Sequence, residues 1–172
     1  MAELNLIIGC MFSGKTTELL RIAKRLRSID QNVLIINYIE DKRYSDTEMS
    51  THDLNKIPCL FSDDLMSIDY SEYSVICINE AQFFKNLKDF TIKALKDSKK
   101  IYISGLDGDY KQSPFGEILD LIPMCDNITR LYAFCKVCKD GTKANFTKRT
   151  NSIKTQKLIG TNEYIPVCRN HL

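Results

Sequence analysis

Leu4-Asn5-Leu6-Ile7-Ile8-Gly9-Cys10-Met11-Phe12-Ser13-Gly14-Lys15-Thr16-Thr17 decides the fold of this 172-residue chain. Leu4–Ile8 is a nearly continuous apolar run that leads straight into a glycine, as a buried parallel strand does on entering a ligand loop. Gly9–Thr16 fits G-x-x-x-x-G-K-[ST], and a helical pattern follows, with Leu19, Ile22, Ala23, Leu26 and Ile29 spaced by three and four on one face. Strand, glycine-bearing loop and helix in that order are what a phosphate-binding loop requires, and this context sets aside a chance match in a turn. The backbone N–H groups from Gly9 through Met11, Phe12, Ser13 and Gly14 are expected to curl around phosphate oxygens, with Thr16 and Thr17 opening the helix whose dipole favours them. Lys15 reaches the β and γ phosphates, and Thr16 offers a hydroxyl to Mg²⁺.

Further along, Val33–Tyr38, Ser74–Asn79 and Ile101–Gly105 read as strands rich in Ile and Val, and helical stretches are predicted over roughly 84–97 and 115–122. Strands alternating with helices predict an α/β fold: a mostly parallel sheet with helices on both faces. After about residue 128 the pattern changes to short strands, Tyr132–Cys135, Asn145–Thr147 and Tyr164–Val167, around turns such as Asp140-Gly141. The chain therefore divides into a nucleotide-binding α/β domain over 1–128 and a small module over 129–172. The small module holds too few apolar residues to be stable on its core alone, so it requires a staple.

Cys135-x-x-Cys138 and Cys168-x-x-His171 supply one. The two pairs are separated by 29 residues, and four ligands with no fifth match a closed tetrahedral zinc site. A redox Cys-x-x-Cys would account for the first pair and leave the second unexplained. Cys10, Cys59, Cys77 and Cys125 have no comparable spacing. The small module carries 9 basic and 2 acidic side chains, a net +7 against −5 for the rest. Such a patch attracts phosphates or nucleic acid, or is a plain solvated face. No apolar run approaches a membrane span, and Met-Ala-Glu-Leu-Asn lacks the pattern of a signal peptide, so the expected location is the cytoplasm, with thiols reduced.

Val75-Ile76-Cys77-Ile78-Asn79-Glu80 resembles the second nucleotide element of such folds, a buried strand ending in polar chemistry at its C-terminal edge. Asn79 stands where an Asp usually helps to hold Mg²⁺, so the metal must lean more on Thr16, the phosphates, and Asp41 or Asp107. Glu80 is the candidate general base for an attacking hydroxyl; the competing interpretation is a surface Glu capping the next helix. Gln82, Phe83, Phe84, Tyr110 and Phe115 gather aromatic and amide groups near the same edge, either as core or as a sandwich for a base.

Together these motifs resemble the type II thymidine kinase family, the zinc-bearing kind found in animals, many bacteria and poxviruses. The resemblance spans essentially the whole chain and rests on Gly9–Thr17, Asp41–Tyr44, Thr51-His52-Asp53, Asn79–Phe84, Leu106–Gly116, Thr147-Lys148-Arg149 and both zinc pairs. It implies a RecA-like P-loop domain with a zinc-ribbon-like "lasso" that closes over the base and reads it through backbone groups. The implied reaction is transfer of the γ-phosphoryl group of ATP to the 5′-hydroxyl of thymidine, giving dTMP. Lys15 and Glu80 act in catalysis, with Arg43 steadying phosphate charge. Asn79 and Gln82 lie with the loop residues at the nucleotide. Met11, Phe83, Leu106, Tyr110, Phe115, Phe146, Thr147 and Tyr164 correspond to positions enclosing the nucleoside. The family is typically a homotetramer inhibited by dTTP, without a membrane or nucleic-acid partner. Besides Asn79, the chain departs from the family at Tyr110, where Phe is common, at Ile159-Gly160-Thr161-Asn162, which is shorter than usual, and at His171, which replaces a fourth Cys. Tyr110 is thereby expected to place a hydroxyl beside the base. A nucleic-acid-dependent ATPase with a basic zinc ribbon is the alternative from another class.

Overall fold

The computed structural model describes residues 1–40, 48–50, 56–157, 160 and 163–172. Arg43, the stretches 41–44 and 51–53, and Ile159, Thr161 and Asn162 lie outside the described residues. In chain order the elements are β1 (Glu3–Gly9), α1 (Lys15–Arg27), β2 (Val33–Tyr38), β3 (Glu48–Ser50), β4 (Lys56–Pro58), β5 (Leu60–Ser62), β6 (Val75–Ile78), α2 (Leu87–Lys96) and β7 (Lys100–Gly105). They continue with β8 (Asn127–Leu131), β9 (Ala133–Phe134), β10 (Lys143–Ala144), β11 (Phe146–Arg149) and β12 (Tyr164–Val167).

Six strands form one sheet in the order β5-β2-β6-β7-β1-β8, and every pairing in it is parallel. Because side chains alternate across a strand, the same strands feed two cores. Leu4, Leu6, Ile36, Ile76, Ile78, Ile101 and Ile103 pack on α2 through Leu87, Phe90 and Ala94. Ile7, Val33, Ile35, Val75 and Cys77 pack on α1 through Leu19, Leu20 and Ala23. Helices thus cover both faces, as the alternation predicts. Smaller two-stranded ladders join β3 to β4, β9 to β10 and β11 to β12, all antiparallel.

The expected bounds of two helices and two strands are adjusted. The helix over 84–97 is a 3₁₀ turn, Ala81–Phe83, followed by α2 over Leu87–Lys96. The helix over 115–122 is a 3₁₀ segment, Ile118–Met124; Pro123, which lacks an N–H, sits inside it. Tyr132–Cys135 narrows to β9, Ala133–Phe134, and Asn145–Thr147 shifts to β11 over Phe146–Arg149, without Asn145. β8 straddles position 128 and closes the edge of the large sheet beside β1.

Candidate active site

The phosphate-binding loop begins where β1 ends between β7 and β8. At Gly9, with φ +148°, a Cβ would stand 2.3 Å from the carbonyl oxygen of Leu131, so the close approach of β8 leaves room for glycine alone. Gly14 caps α1 in the left-handed conformation, and its carbonyl accepts the first helical hydrogen bond, from Glu18 N–H at 3.0 Å. Inside the loop, Ser13 Oγ and Lys15 Nζ both donate to the Cys10 carbonyl, at 2.8 and 2.7 Å. Lys15 is buried, so its ammonium is held where the loop curls and not in solvent.

The C-terminal module is fastened directly to this loop. Met11 N–H donates to Thr147 Oγ1 of β11 at 3.0 Å, and the Cys10 thiol donates to the Ala144 carbonyl at 3.3 Å. Burial pushes the Cys10 thiol up from its ordinary value, which keeps it an inert packing group.

At the C-terminal end of β6, Asn79 N–H donates to the Ile36 carbonyl at 2.8 Å and extends the strand pairing by one residue. Its side chain is buried, and its Oδ1 accepts from the Thr16 hydroxyl at 3.4 Å. Thr16 Oγ1 and Asn79 Oδ1 are two hard oxygen donors at the helix start, a donor set that fits Mg²⁺. Asp107 is committed to Arg130 at 3.0 Å, and Asp41 lies outside the described residues. Glu80 follows in the left-handed conformation, φ 51°, ahead of the 3₁₀ turn. Gln82 is buried and bridges two elements: its Nε2 donates to Glu80 Oε2 at 2.6 Å, and its Oε1 accepts from Leu106 N–H at 3.0 Å. Gly105 makes room for this bridge, since a Cβ there would sit 2.5 Å from Gln82 Oε1.

Beside Glu80 the aromatics divide. Phe84 joins the core, whereas half-buried Phe83 meets Tyr38 at 5.1 Å and Phe115 at 5.4 Å between ring centroids. The loop after β11 closes against this cluster. Lys157 Nζ lies 4.6 Å from the Tyr38 ring centroid, donates to Tyr38 OH at 3.0 Å and pairs with Glu40 at 2.7 Å. Gln156 Nε2 donates to Asp109 Oδ2 at 2.8 Å. Tyr110 points its hydroxyl to the Lys154 carbonyl at 2.8 Å, so the extra oxygen expected beside the base is bonded to the loop.

Buried Arg149 organises that loop. Its guanidinium donates to the carbonyls of Ile153 at 2.7 Å, Thr155 at 2.5 Å and Gln156 at 3.2 Å, and to Tyr164 OH. The same group lies 3.8 Å from the Tyr110 ring centroid. Met11, Thr147, Leu106, Phe83, Phe115, Tyr110 and Tyr164 are therefore linked around one end of the sheet. Phe146 packs instead with the small core of the C-terminal module, under the Arg169 guanidinium at 4.6 Å.

Cys135, Cys138, Cys168 and His171 converge, all four ligand atoms lying within 4.8 Å of one another; they are the metal-compatible cluster among the described residues. A tetrahedral zinc ion with Zn–S bonds of about 2.3 Å needs sulfur–sulfur edges of roughly 3.8 Å. Cys138 and Cys168 sulfurs are 3.7 Å apart, and His171 Nδ1 lies 3.3 Å from both. Burial opposes ionisation of both Cys135 and Cys138; backbone N–H groups of Cys138, Cys168 and Val137 draw the Cys135 thiol down, while burial and the neighbouring Cys135 and Cys168 thiols push Cys138 up. The two pairs form one site, which leaves no separate redox Cys-x-x-Cys.

Asn37, which accepts from Asn79 Nδ2 at 3.0 Å, Arg149 and Lys157 make contacts that the sequence reading did not assign. Asn37 had a usable signal, a polar residue inside a fully buried strand. Arg149 lies in the recognised stretch Thr147-Lys148-Arg149 with no role of its own assigned, and Lys157 had no signal, since backbone carbonyls and aromatic faces do not advertise their partners.

The family model described as thymidine kinase matches residues 2–172. The rice protein "Thymidine kinase" is 42% identical over 98% of this chain, which spans 65% of that protein's length. The "Thymidine kinase" of myxoma virus, strain Uriarra, is 38% identical over 97% of this chain and 94% of its own. The chicken "Thymidine kinase, cytosolic" is 34% identical, over 97% and 75% respectively. A match across nearly every residue, carried by a chain with this loop, sheet and four-ligand cluster, means that the chain belongs to the thymidine kinase family.

Proposed function

We propose that the protein transfers the γ-phosphoryl group of ATP to the 5′-hydroxyl of thymidine, giving dTMP. The observation that carries this is the fastening of the C-terminal module to the phosphate-binding loop through Met11 and Thr147, which puts a lid for an acceptor beside a triphosphate cradle. Lys15 exchanges its bond to the Cys10 carbonyl for β and γ phosphate oxygens, and the loop amides and the N-terminus of α1 take the remaining charge. Glu80 accepts the proton of the 5′-hydroxyl, and Gln82, anchored on Leu106 N–H, holds that carboxylate in place. Arg43 steadies the transferring phosphate. Phe83 and Phe115 flank the base, Tyr164 and Tyr110 brace the loop above it, and backbone groups of that loop read its edge. Thr16 and Asn79 hold Mg²⁺, which when bound neutralises charge on the phosphates.

The division of labour is a nucleotide-binding domain over 1–128 and a lasso module over 129–172 stapled by structural zinc. We place the enzyme in the cytoplasm as a homotetramer inhibited by dTTP. Among the described residues no helix is long and apolar enough to cross a membrane.

The nucleic-acid-dependent ATPase is not favoured, because several of the module's basic side chains already have partners within the chain. Arg149 serves loop carbonyls, Lys157 pairs with Glu40, Arg130 pairs with Asp107 and Lys148 caps the His171 carbonyl. A phosphoryl-transfer assay across the four deoxynucleosides, with dTTP as a competing ligand, tests the proposal. Thymidine phosphorylation suppressed by dTTP is expected; ATP hydrolysis stimulated by DNA without dTMP formation would overturn it.

A further inference from the structure

β2 and β6 pair in register up to Ile36 and Ile78, so the next residues, Asn37 and Asn79, emerge side by side at the ligand edge of the sheet. Both side chains are only 2% exposed. Asn79 Nδ2 donates to Asn37 Oδ1 at 3.0 Å, while Asn79 Oδ1 on the opposite side accepts from the Thr16 hydroxyl at 3.4 Å. We propose that Asn37 is a positioning residue for the metal end of the nucleotide site: by accepting from Asn79 it fixes which end of that amide faces Thr16. The proposal rests on the ATP–Mg²⁺ reading above.

The need for such a residue follows from the chemistry of an amide. A hydroxyl that ligates a cation does so through an oxygen lone pair, and its hydrogen must go to a separate acceptor. Asn79 Oδ1 is that acceptor for Thr16. A carboxylate at position 79 would offer an acceptor on either side whichever way it turned. An amide has one accepting and one donating end, and the two orientations fill the same space, so packing alone does not choose between them. In the wrong orientation the NH₂ group would face Thr16, compete for its lone pair and present partial positive charge to the cation. With its own Oδ1 turned toward Asn79, as the structure has it, Asn37 removes that choice by demanding a donor. The neutral pair thereby supplies by orientation part of what a carboxylate supplies by charge.

The test exchanges acceptors and donors at position 37 in the full-length, zinc-loaded enzyme. Mn²⁺ binding in the presence of a non-hydrolysable ATP analogue is followed by electron paramagnetic resonance, alongside the thymidine KM. Asn37→Asp keeps the acceptor and is expected to bind Mn²⁺ at least as tightly as wild type. Asn37→Lys presents donors only, turns the Asn79 amide around and is expected to weaken Mn²⁺ binding by about tenfold or more, with thymidine KM unmoved. With Asn79→Asp added to the Asn37→Lys background, the new carboxylate accepts from the introduced ammonium and from Thr16 together. The double variant is therefore expected to return to within about threefold of wild type.

Should the single Asn37→Lys variant not fold, Asn37→Leu, which removes the acceptor and adds no donor, is expected to lose several-fold in the same measurement. Equal Mn²⁺ binding by the Asp, Lys and Leu variants would overturn the positioning role, as would a double variant no better than Asn37→Lys. Wild-type enzyme that binds no Mn²⁺ with the analogue would overturn this proposal and the nucleotide-site reading together, which separates that failure from a failure of Asn37 alone.

Discussion

The nucleotide end of the sheet and the C-terminal module hold their functional groups by opposite means. Around the phosphate-binding loop the groups that matter are backbone, presented by β1 and α1 and backed by two large cores in which Leu4, Ile36, Ile76, Phe90 and Leu19 are fully or almost fully buried. The module has a core of Cys10, Ala133, Cys135, Ala144, Val167 and Cys168, in which the side chains are small and two belong to the metal-ligand set. Its loop is shaped by one guanidinium reaching three carbonyls. Apolar burial is distributed over many contacts, so one truncation costs about 2–5 kcal/mol and leaves the other contacts in place; a metal site or an Arg hub concentrates the same task in one group.

Removing zinc should break the comparison most sharply. Chelation, or Cys168→Ala, is expected to unfold the residues after β8, because metal-binding free energy in such small modules is itself folding free energy, on the order of 10 kcal/mol. Limited proteolysis should then cut within 132–172 and leave the α/β part intact, with thymidine phosphorylation abolished and binding of an ATP analogue retained. Metal analysis that finds no zinc in active protein would refute the role given to the four ligands. Next in size is Glu80→Gln. Loss of a general base is expected to lower kcat by about 10²–10⁴-fold, with ATP-analogue and thymidine binding within a few-fold of wild type. Stopped-flow or steady-state turnover decides it, and unchanged kcat would exclude Glu80 as the base.

The same contrast governs what can be read from the sequence. β2 and β12 lie where Val33–Tyr38 and Tyr164–Val167 are expected, since an apolar run or a strand between turn signals is written in the residues themselves. The loop at Gly9–Thr16 and the four ligands are legible for a related reason: backbone curvature demands glycine, and zinc demands soft ligands at fixed spacing. β8 is not legible as a strand of the sheet. Its residues Asn127–Arg130 are all exposed, apolar Ile128 included, so no periodicity marks it, and only its pairing with β1 makes it a strand. Arg149 stands inside the recognised stretch Thr147-Lys148-Arg149, yet its role depends on carbonyls at 153, 155 and 156, and every residue has a carbonyl. The 3₁₀ segment Ile118–Met124 reads as an α-helix because Ile118 and Leu121 satisfy either period over so short a stretch.

Arg149 accordingly sharpens the comparison at intermediate scale. Arg149→Lys keeps the charge but loses the planar fork that serves several acceptors at once, so it is not conservative here. The expected outcome is a rise in thymidine KM of about 10- to 100-fold, from loss of two or more charge-assisted hydrogen bonds, with ATP KM unmoved. Parallel rises in both KM values would show that the loop and the nucleotide site are one unit, against the division drawn above.

The smallest effect is expected at Tyr110. Its ring lies under the Arg149 guanidinium and its hydroxyl donates to the Lys154 carbonyl at 2.8 Å. Tyr110→Phe keeps the ring, and with it the cation–π contact, and removes only the hydroxyl. Lys154 is exposed, so water replaces the lost donor and no acceptor is stranded. The net cost is therefore that of one solvent-competed hydrogen bond, about 0.5–1.5 kcal/mol, or roughly two- to tenfold. Because that bond ties the loop to the Asp109–Pro114 turn, the change should be seen as faster amide hydrogen exchange over 150–157 and a correspondingly raised thymidine KM, with kcat and melting temperature nearly unchanged. A Tyr110→Phe variant whose kcat falls with KM constant would place the hydroxyl on the reacting nucleoside and not on the loop. Tyr110→Leu, which removes the ring as well, should exceed the Phe variant by the cation–π contribution, about a further two- to fivefold; equal effects would mean that the stacking on Arg149 contributes nothing to holding the loop.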